Sequence, residues 1–260
     1  KTMQKSNQFN GGAAPAFLRT HPVTIDRISD IQDRLGEYPY KQRMDSDNFY
    51  YVKGKIKAFL EEKKTIVNIL EINVKNKTYI NEAGERFALA YAYLRNNMII
   101  KARSELDYLK KKKTPNPMLL NLEAIILIQE GKQEEATQLY KKGLSMFPNH
   151  RAFVYGLAEH YIRSSKIAIA INLLQNYLLI HPEDSNLYEL MAKAQAAKGK
   201  VLLQHENLAE AFYYRYNIKE AITHLDLAAS AKDGNFYEKS RVESRLKALK
   251  REWKLFSEGL

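Results

Sequence analysis

The chain has 260 residues, 45% of them hydrophobic, and a formal net charge of +11, enough apolar material for one repeat array or two modest domains. It has no cysteine, which excludes disulfides and thiolate metal sites, and no run of 18 apolar residues, which excludes a membrane-spanning helix. The basic charge is compatible with nucleic acid, an anionic membrane surface or an acidic protein, but Lys and Arg are scattered over predicted helix surfaces, which argues against the first.

In chain order, residues 1 to about 20 are small and polar, with Gly11-Gly12-Ala13-Ala14-Pro15, and read as a loop or strand edge. The chain begins at Lys1 without a secretion signal and is expected to be a piece of a longer protein. A helix is predicted after Pro22, with Thr24 as N-cap, Ile25, Ile28, Ile31 and Leu35 on one face, and Gly36 and Pro39 ending it. A second runs from Ser46 to about Lys63, with Phe49, Val52, Ile56, Phe59 and Leu60 as its expected buried stripe. A short third helix is predicted from Thr65 to Val74. The lysine run Lys110 to Lys113 precedes Thr114-Pro115 at a predicted helix end, where the helix dipole favours cations.

Ala90, Ala124, Ala158 and Ala192 are each 34 positions apart, and Ala102, Ala136 and Ala170 keep the same interval. Small residues at a fixed period mark places where paired helices cross closely, and large side chains keep step with them: Leu89, Leu157 and Met191, then Tyr93, Leu127 and Tyr161. Pro148 and Pro182 close two repeats, and Gly131 and Ser164-Ser165 mark turns within them. The pattern resembles the tetratricopeptide repeat, with frames beginning near 83, 117, 151 and 185. The fourth frame departs from it. Gln204 replaces the second alanine, and a new series (Ala209, Ala221, Leu225, Ala228) starts 17 positions after Ala192. This predicts a re-phased unit, then a closing helix from about Tyr237 to Phe256.

Catalytic patterns are sparse. His205-Glu206 opens like H-E-x-x-H, but Ala209 stands where the second histidine is needed. His150 and His181 fall at repeat ends, where cap or turn roles fit best. No Gly-rich phosphate loop, G-x-S-x-G elbow or close carboxylate pair occurs.

The segment Thr20-His21-Pro22 with Arg27-Ile28 resembles the T-H-P-x-x-x-x-R-I stretch that follows the catalytic core of HtpX-like gluzincin metallopeptidases. With the repeats behind it, the whole chain resembles the C-terminal part of the BepA-like periplasmic proteases that assist outer-membrane barrel assembly. The resemblance implies an all-α fold in which residues 1–44 are the tail of a protease domain, 45–82 linking helices and 83–260 a tetratricopeptide solenoid. It implies a zinc metalloendopeptidase whose metal ligands lie upstream, with no metal expected in this part alone. His21 would be a fourth, regulatory zinc ligand and Arg27 its structural support. It further implies a periplasmic location and protein partners, the barrel-assembly machinery and unfolded barrel proteins, with no nucleic acid and no transmembrane segment. In the solenoid, the inward positions of each first helix are Phe87, Tyr91 and Arg95, then Asn121, Ile125 and Gln129, then Tyr155, Glu159 and Arg163. Aromatic and guanidinium groups there suit a protein partner. The rival reading is a stand-alone adaptor with no protease.

Overall fold

A computed structural model describes residues 45–111, 114–148 and 150–257; the predicted Thr24 helix, His21 and Arg27 lie outside them. The fold is all-α. Among the described residues there are twelve helices and no strand: α1 (Asp47–Leu60), α2 (Lys63–Asn76), α3 (Glu82–Arg95), α4 (Ile99–Lys110), α5 (Pro117–Gln129), α6 (Gln133–Met146), α7 (Ala152–Arg163), α8 (Ile167–Ile180), α9 (Ser185–Ala197), α10 (Val201–Tyr213), α11 (Ile218–Ala229) and α12 (Phe236–Ser257). None is long and apolar enough to cross a membrane.

Helices α3 to α10 form four antiparallel pairs at the 34-residue spacing, a tetratricopeptide solenoid. Ala90, Ala124, Ala158 and Ala192, and equally Ala102, Ala136 and Ala170, have at most 2% of their surface exposed. With no side chain beyond Cβ they let helix axes approach where Leu or Phe would hold them apart. Between α6 and α7 the same need is met by glycine: the Phe153 ring lies on Gly143 and the Tyr140 ring on Gly156, so that a Cβ on Gly156 would lie 2.6 Å from the ring. Both rings are fully buried.

The turns inside the pairs repeat as strictly. Asn97, Gly131, Ser165 and Gly199 are all left-handed, with φ of 56°, 80°, 58° and 70°. After each, a backbone N–H reaches back to the carbonyl five residues earlier: Met98 to Tyr93, Lys132 to Leu127, Lys166 to Tyr161 and Lys200 to Gln195, all 2.8 to 3.0 Å. This is a Schellman closure, which satisfies carbonyls that the end of a helix leaves open. The next left-handed residue is Tyr216, φ 60°, only 17 positions after Gly199, and Asn217 N–H bonds the Phe212 carbonyl in the same way. The turn from α10 to α11 is therefore an intra-pair turn. Helix α10 serves as second member of one pair and first member of the next, the structural form of the phase shift seen in the sequence. Ala209, Ala221, Leu225 and Ala228 pack into one core with Leu202, Val242 and Leu249. Helix α12 is tied to α10 by two forked ion pairs, Arg241–Glu206 at 2.6 and 2.7 Å and Arg245–Glu210 at 2.7 and 2.9 Å.

The face that α1 buries is the opposite of the expected one. Phe49, Val52, Ile56, Phe59 and Leu60 are between 47% and 72% exposed, whereas Tyr51, Gly54 and Ala58 are buried against α3. The crossing is too close for large side chains: a Cβ on Gly54 would collide with the Gly84 carbonyl, and one on Gly84 would lie 2.9 Å from the Tyr50 carbonyl oxygen. Lys57 clamps the contact by donating to both oxygens of buried Glu85, at 2.6 and 2.9 Å, and Asn73 of α2 donates to the same carboxylate at 2.7 Å. Gly54→Val should therefore cost about 2 kcal/mol by forcing α1 off α3, while Ile56→Ala should cost less than about 0.5 kcal/mol. Urea unfolding of the two variants checks this; the reverse order would restore the large apolar residues as the packed face.

Candidate functional site

Helices α5 and α7 are first members of neighbouring pairs, and side chains four residues apart along each point to the concave side. Asn116 and Pro117 start α5, the Asn116 side chain accepting from Met118 N–H at 2.8 Å. From that start Asn121, Ile125 and Gln129 line one wall of a cavity of about 490 Å³, and Tyr155, Glu159 and Arg163 of α7 line the other. Six of the nine inward positions read from the repeat register thus meet in one groove, of a size that accommodates a short peptide stretch. Asn121 is buried, Ile125 and Tyr155 are half-buried, and Gln129, Glu159 and Arg163 are exposed. The floor comes from Ile128, Tyr140, Gly156 and His160.

Phe87, Tyr91 and Arg95 are not part of that groove. Helix α1 covers them. Phe87 is fully buried and its ring centroid lies 4.8 Å from that of Tyr51; Tyr91 is 5% exposed and lies 6.3 Å from Phe59. Arg95 donates to the carbonyls of Ala58 and Glu61 and stacks over Phe59 at 4.7 Å. These positions keep the repeat register, but their neighbour is this chain's own helix. Tyr91 holds its proton up to about pH 12 because burial disfavours the phenolate, and its hydroxyl, beside the Asn121 amide, makes no hydrogen bond of good geometry.

Helix α1 also contributes a residue that the register could not identify. Lys55 lines the groove, half-buried, with its ammonium 5.2 Å from the Tyr91 ring centroid and no carboxylate partner among the described residues. Burial pulls its pKa below the ordinary lysine value. A partly dehydrated cation facing an open groove favours an incoming anion or carbonyl. Tyr140 is a second lining residue outside the register; the sequence signal for it is Gly156, one repeat helix later, where only a missing side chain leaves room for the ring.

Tyr155 links the groove to the next repeat. Its hydroxyl donates to Asp184 at 2.5 Å, Arg151 donates to the same oxygen at 2.8 Å, and the other oxygen caps α9 through Asn186 N–H at 3.0 Å. Burial alone would raise the Asp184 pKa, but the bonds from Tyr155 and Arg151 outweigh it and hold the carboxyl below its usual 3.8. The carboxylate thus stabilises the fold above that pH and ceases to as it is protonated at lower pH. Asp184→Ala should lower stability by about 2–3 kcal/mol at neutral pH, whereas Asp184→Asn, still able to cap α9, should lose about 1 kcal/mol. Thermal unfolding at pH 7 tests the pair, and equal losses would mean that the charge, not the cap, carries the site.

His160 gives a second titration. It is 3% exposed, its Nε2 lies 3.0 Å from Thr137 Oγ1, and burial, aided by Lys166 and Arg163, holds the imidazole pKa below 6.5. Below pH 6.5 the unfolded chain binds a proton at His160 that the folded chain rejects, so stability falls as pH drops from there. His160→Gln retains a partner for Thr137 and should flatten part of this slope between pH 7 and 5. An unaltered slope would assign it to His150 and His224, whose pKa values burial also lowers.

No group of three or more His, Cys, Asp or Glu residues able to hold a metal ion occurs among the described residues. They do not fit a catalytic zinc centre. His205 pairs with another histidine and Glu206 with Arg241.

The tetratricopeptide repeat family model matches residues 127–194, which include the α7 wall of the groove. Over 240 residues the chain is 24% identical to the beta-barrel assembly-enhancing protease of Yersinia pestis, an alignment covering 91% of this chain and 49% of that protein. The protein of the same name from Escherichia coli K12 is 23% identical over 238 residues, covering 91% and 48%. The chain thus spans about half the length of the curated relatives it matches. Among solved structures, MamA from Desulfovibrio magneticus RS-1 is 18% identical, covers 65% of this chain and 96% of its own, and has a TM-score of 0.43.

Proposed function

We propose that this chain is the protein-binding repeat region of a longer protein of the beta-barrel assembly-enhancing protease kind, and that the α5–α7 groove is where it takes hold of a partner. The observation that carries the reading is convergence: six register-matched side chains and Lys55 meet in one open groove although they come from three helices. Ile125 and Ile128 offer apolar contact, Asn121 and Gln129 offer amides to a peptide backbone, and Lys55 and Arg163 sit at its margins as cations. This combination suits an extended segment with alternating apolar and polar or acidic side chains. The alignment with the two proteases supports the wider reading. On it, the chain sits in the periplasm and holds the barrel-assembly machinery or unfolded barrel proteins. The zinc-dependent hydrolysis then belongs to residues upstream, with His21 as a closing zinc ligand and Arg27 supporting its loop.

Gln129→Glu and Arg163→Glu, both at exposed positions of the groove, each place the wrong chemistry there for a segment with acidic side chains without removing a core contact. Each should weaken capture of purified barrel-assembly machinery, or of an unfolded barrel protein, by about tenfold (about 1.4 kcal/mol), with thermal unfolding nearly unchanged. Capture at parent strength by both variants would rule out the groove. Normal groove behaviour combined with an open reading frame that lacks H-E-x-x-H upstream would retain the binding role and replace the protease with an adaptor.

A further inference from the structure

The neighbouring helices α10 and α11 bring two histidines together away from the groove. Nδ1 of His205 lies 3.0 Å from Nδ1 of His224, the ring planes differ by 23°, and their centroids are 5.2 Å apart. Rings this nearly coplanar and this close at one edge present the same atom, Nδ1, to each other. His224 is held in place: the Phe212 ring lies parallel to it, 11° and 5.2 Å away, and α11 is anchored beneath by fully buried Ala221 and Leu225. Both imidazoles are half-buried, so neither is sealed from solvent.

We propose that His205 and His224 form a two-nitrogen binding site for a divalent copper ion, completed by water. Two imidazole nitrogens at about 2.0–2.1 Å from a common ion are roughly 3 Å apart when the angle at the metal is about 95°. A zinc tetrahedron would set them only a few tenths of an ångström further apart, so it is the affinity order for nitrogen sites, headed by copper, that favours Cu(II). In the metal-free pair one ring carries its hydrogen on Nδ1 and donates it to the other. When both rings carry the hydrogen on Nε2, both Nδ1 lone pairs are free, and a rotation of each ring about its Cβ–Cγ bond turns them from one another to a shared point. Glu220, one turn before His224, adds negative charge nearby and favours a bound cation. With two protein ligands instead of three or four, the site is one for reversible binding of an exchangeable ion and not for a buried structural one.

The test is titration of the whole chain with Cu²⁺, followed by calorimetry and electron paramagnetic resonance. The expected result is one high-affinity equivalent with a tetragonal spectrum split by two nitrogens. His205→Ala and His224→Ala should each weaken it at least tenfold, while His181→Ala leaves it unchanged. On the unsubstituted chain, Zn²⁺ should bind more weakly and shift the imidazole nitrogen resonances of His205 and His224 first, a reading that holds even if a variant folds poorly. Copper binding that survives both alanine variants, resonance shifts confined to other histidines, or no stoichiometric binding would each overturn the proposal and leave the pair as an N–H···N bond between two helices.

Discussion

Helix separation at the crossing points controls this molecule. Stacked helical pairs bury a continuous core only if successive axes stay close, and closeness requires small residues: alanines in seven register positions, and glycine where Tyr140 and Phe153 lay their rings. One larger side chain at such a point costs more than its own misfit, because each pair rests on the next. The direction of every inward side chain follows from this spacing, and so does the groove between α5 and α7.

The same rule explains the role of α1. Gly54 and Ala58 let it lie against α3 as closely as a repeat helix would, and the Lys57–Glu85 pair fixes it there. Three inward positions of the first repeat are thereby covered, and the open groove begins where α1 ends its coverage, with Lys55 at the margin. The concave side of the solenoid thus has a filled part, occupied by the chain's own helix, and an open part. Filling one end leaves the α5–α7 section open and supplies that section with its half-buried cation, Lys55.

At the other end the phase shift has a physical use. A solenoid must stop without leaving an apolar face in water, and letting α10 belong to two pairs turns the last three helices into a closed cluster around Leu202, Ala209, Leu225 and Val242. Arg241 and Arg245 then hold the long final helix with forked ion pairs, more specific in geometry than single contacts. The His205–His224 pair exists because of this arrangement, since in an unshifted repeat α10 and α11 would not meet through an intra-pair turn.

Periodicity made much of this legible in the sequence. The 34-residue spacing of alanines, the turn at Gly131 and Ser164-Ser165, and the restart at Ala209 are chemical requirements repeated often enough to be read without coordinates. So is the inward register of α5 and α7, because helix geometry alone decides which side chains share a face. What one sequence could not supply is which helix lies against which. The stripe Phe49, Val52, Ile56, Phe59 and Leu60 reads as a core face by hydrophobicity, yet the close crossing selects the small residues Gly54 and Ala58 instead. Phe87, Tyr91 and Arg95 occupy inward positions as the register requires, and only the tertiary packing of α1 decides that those positions are covered. Local periodicity is written in neighbouring residues, whereas burial depends on a partner 28 to 37 residues away, and only the folded chain brings that partner into contact.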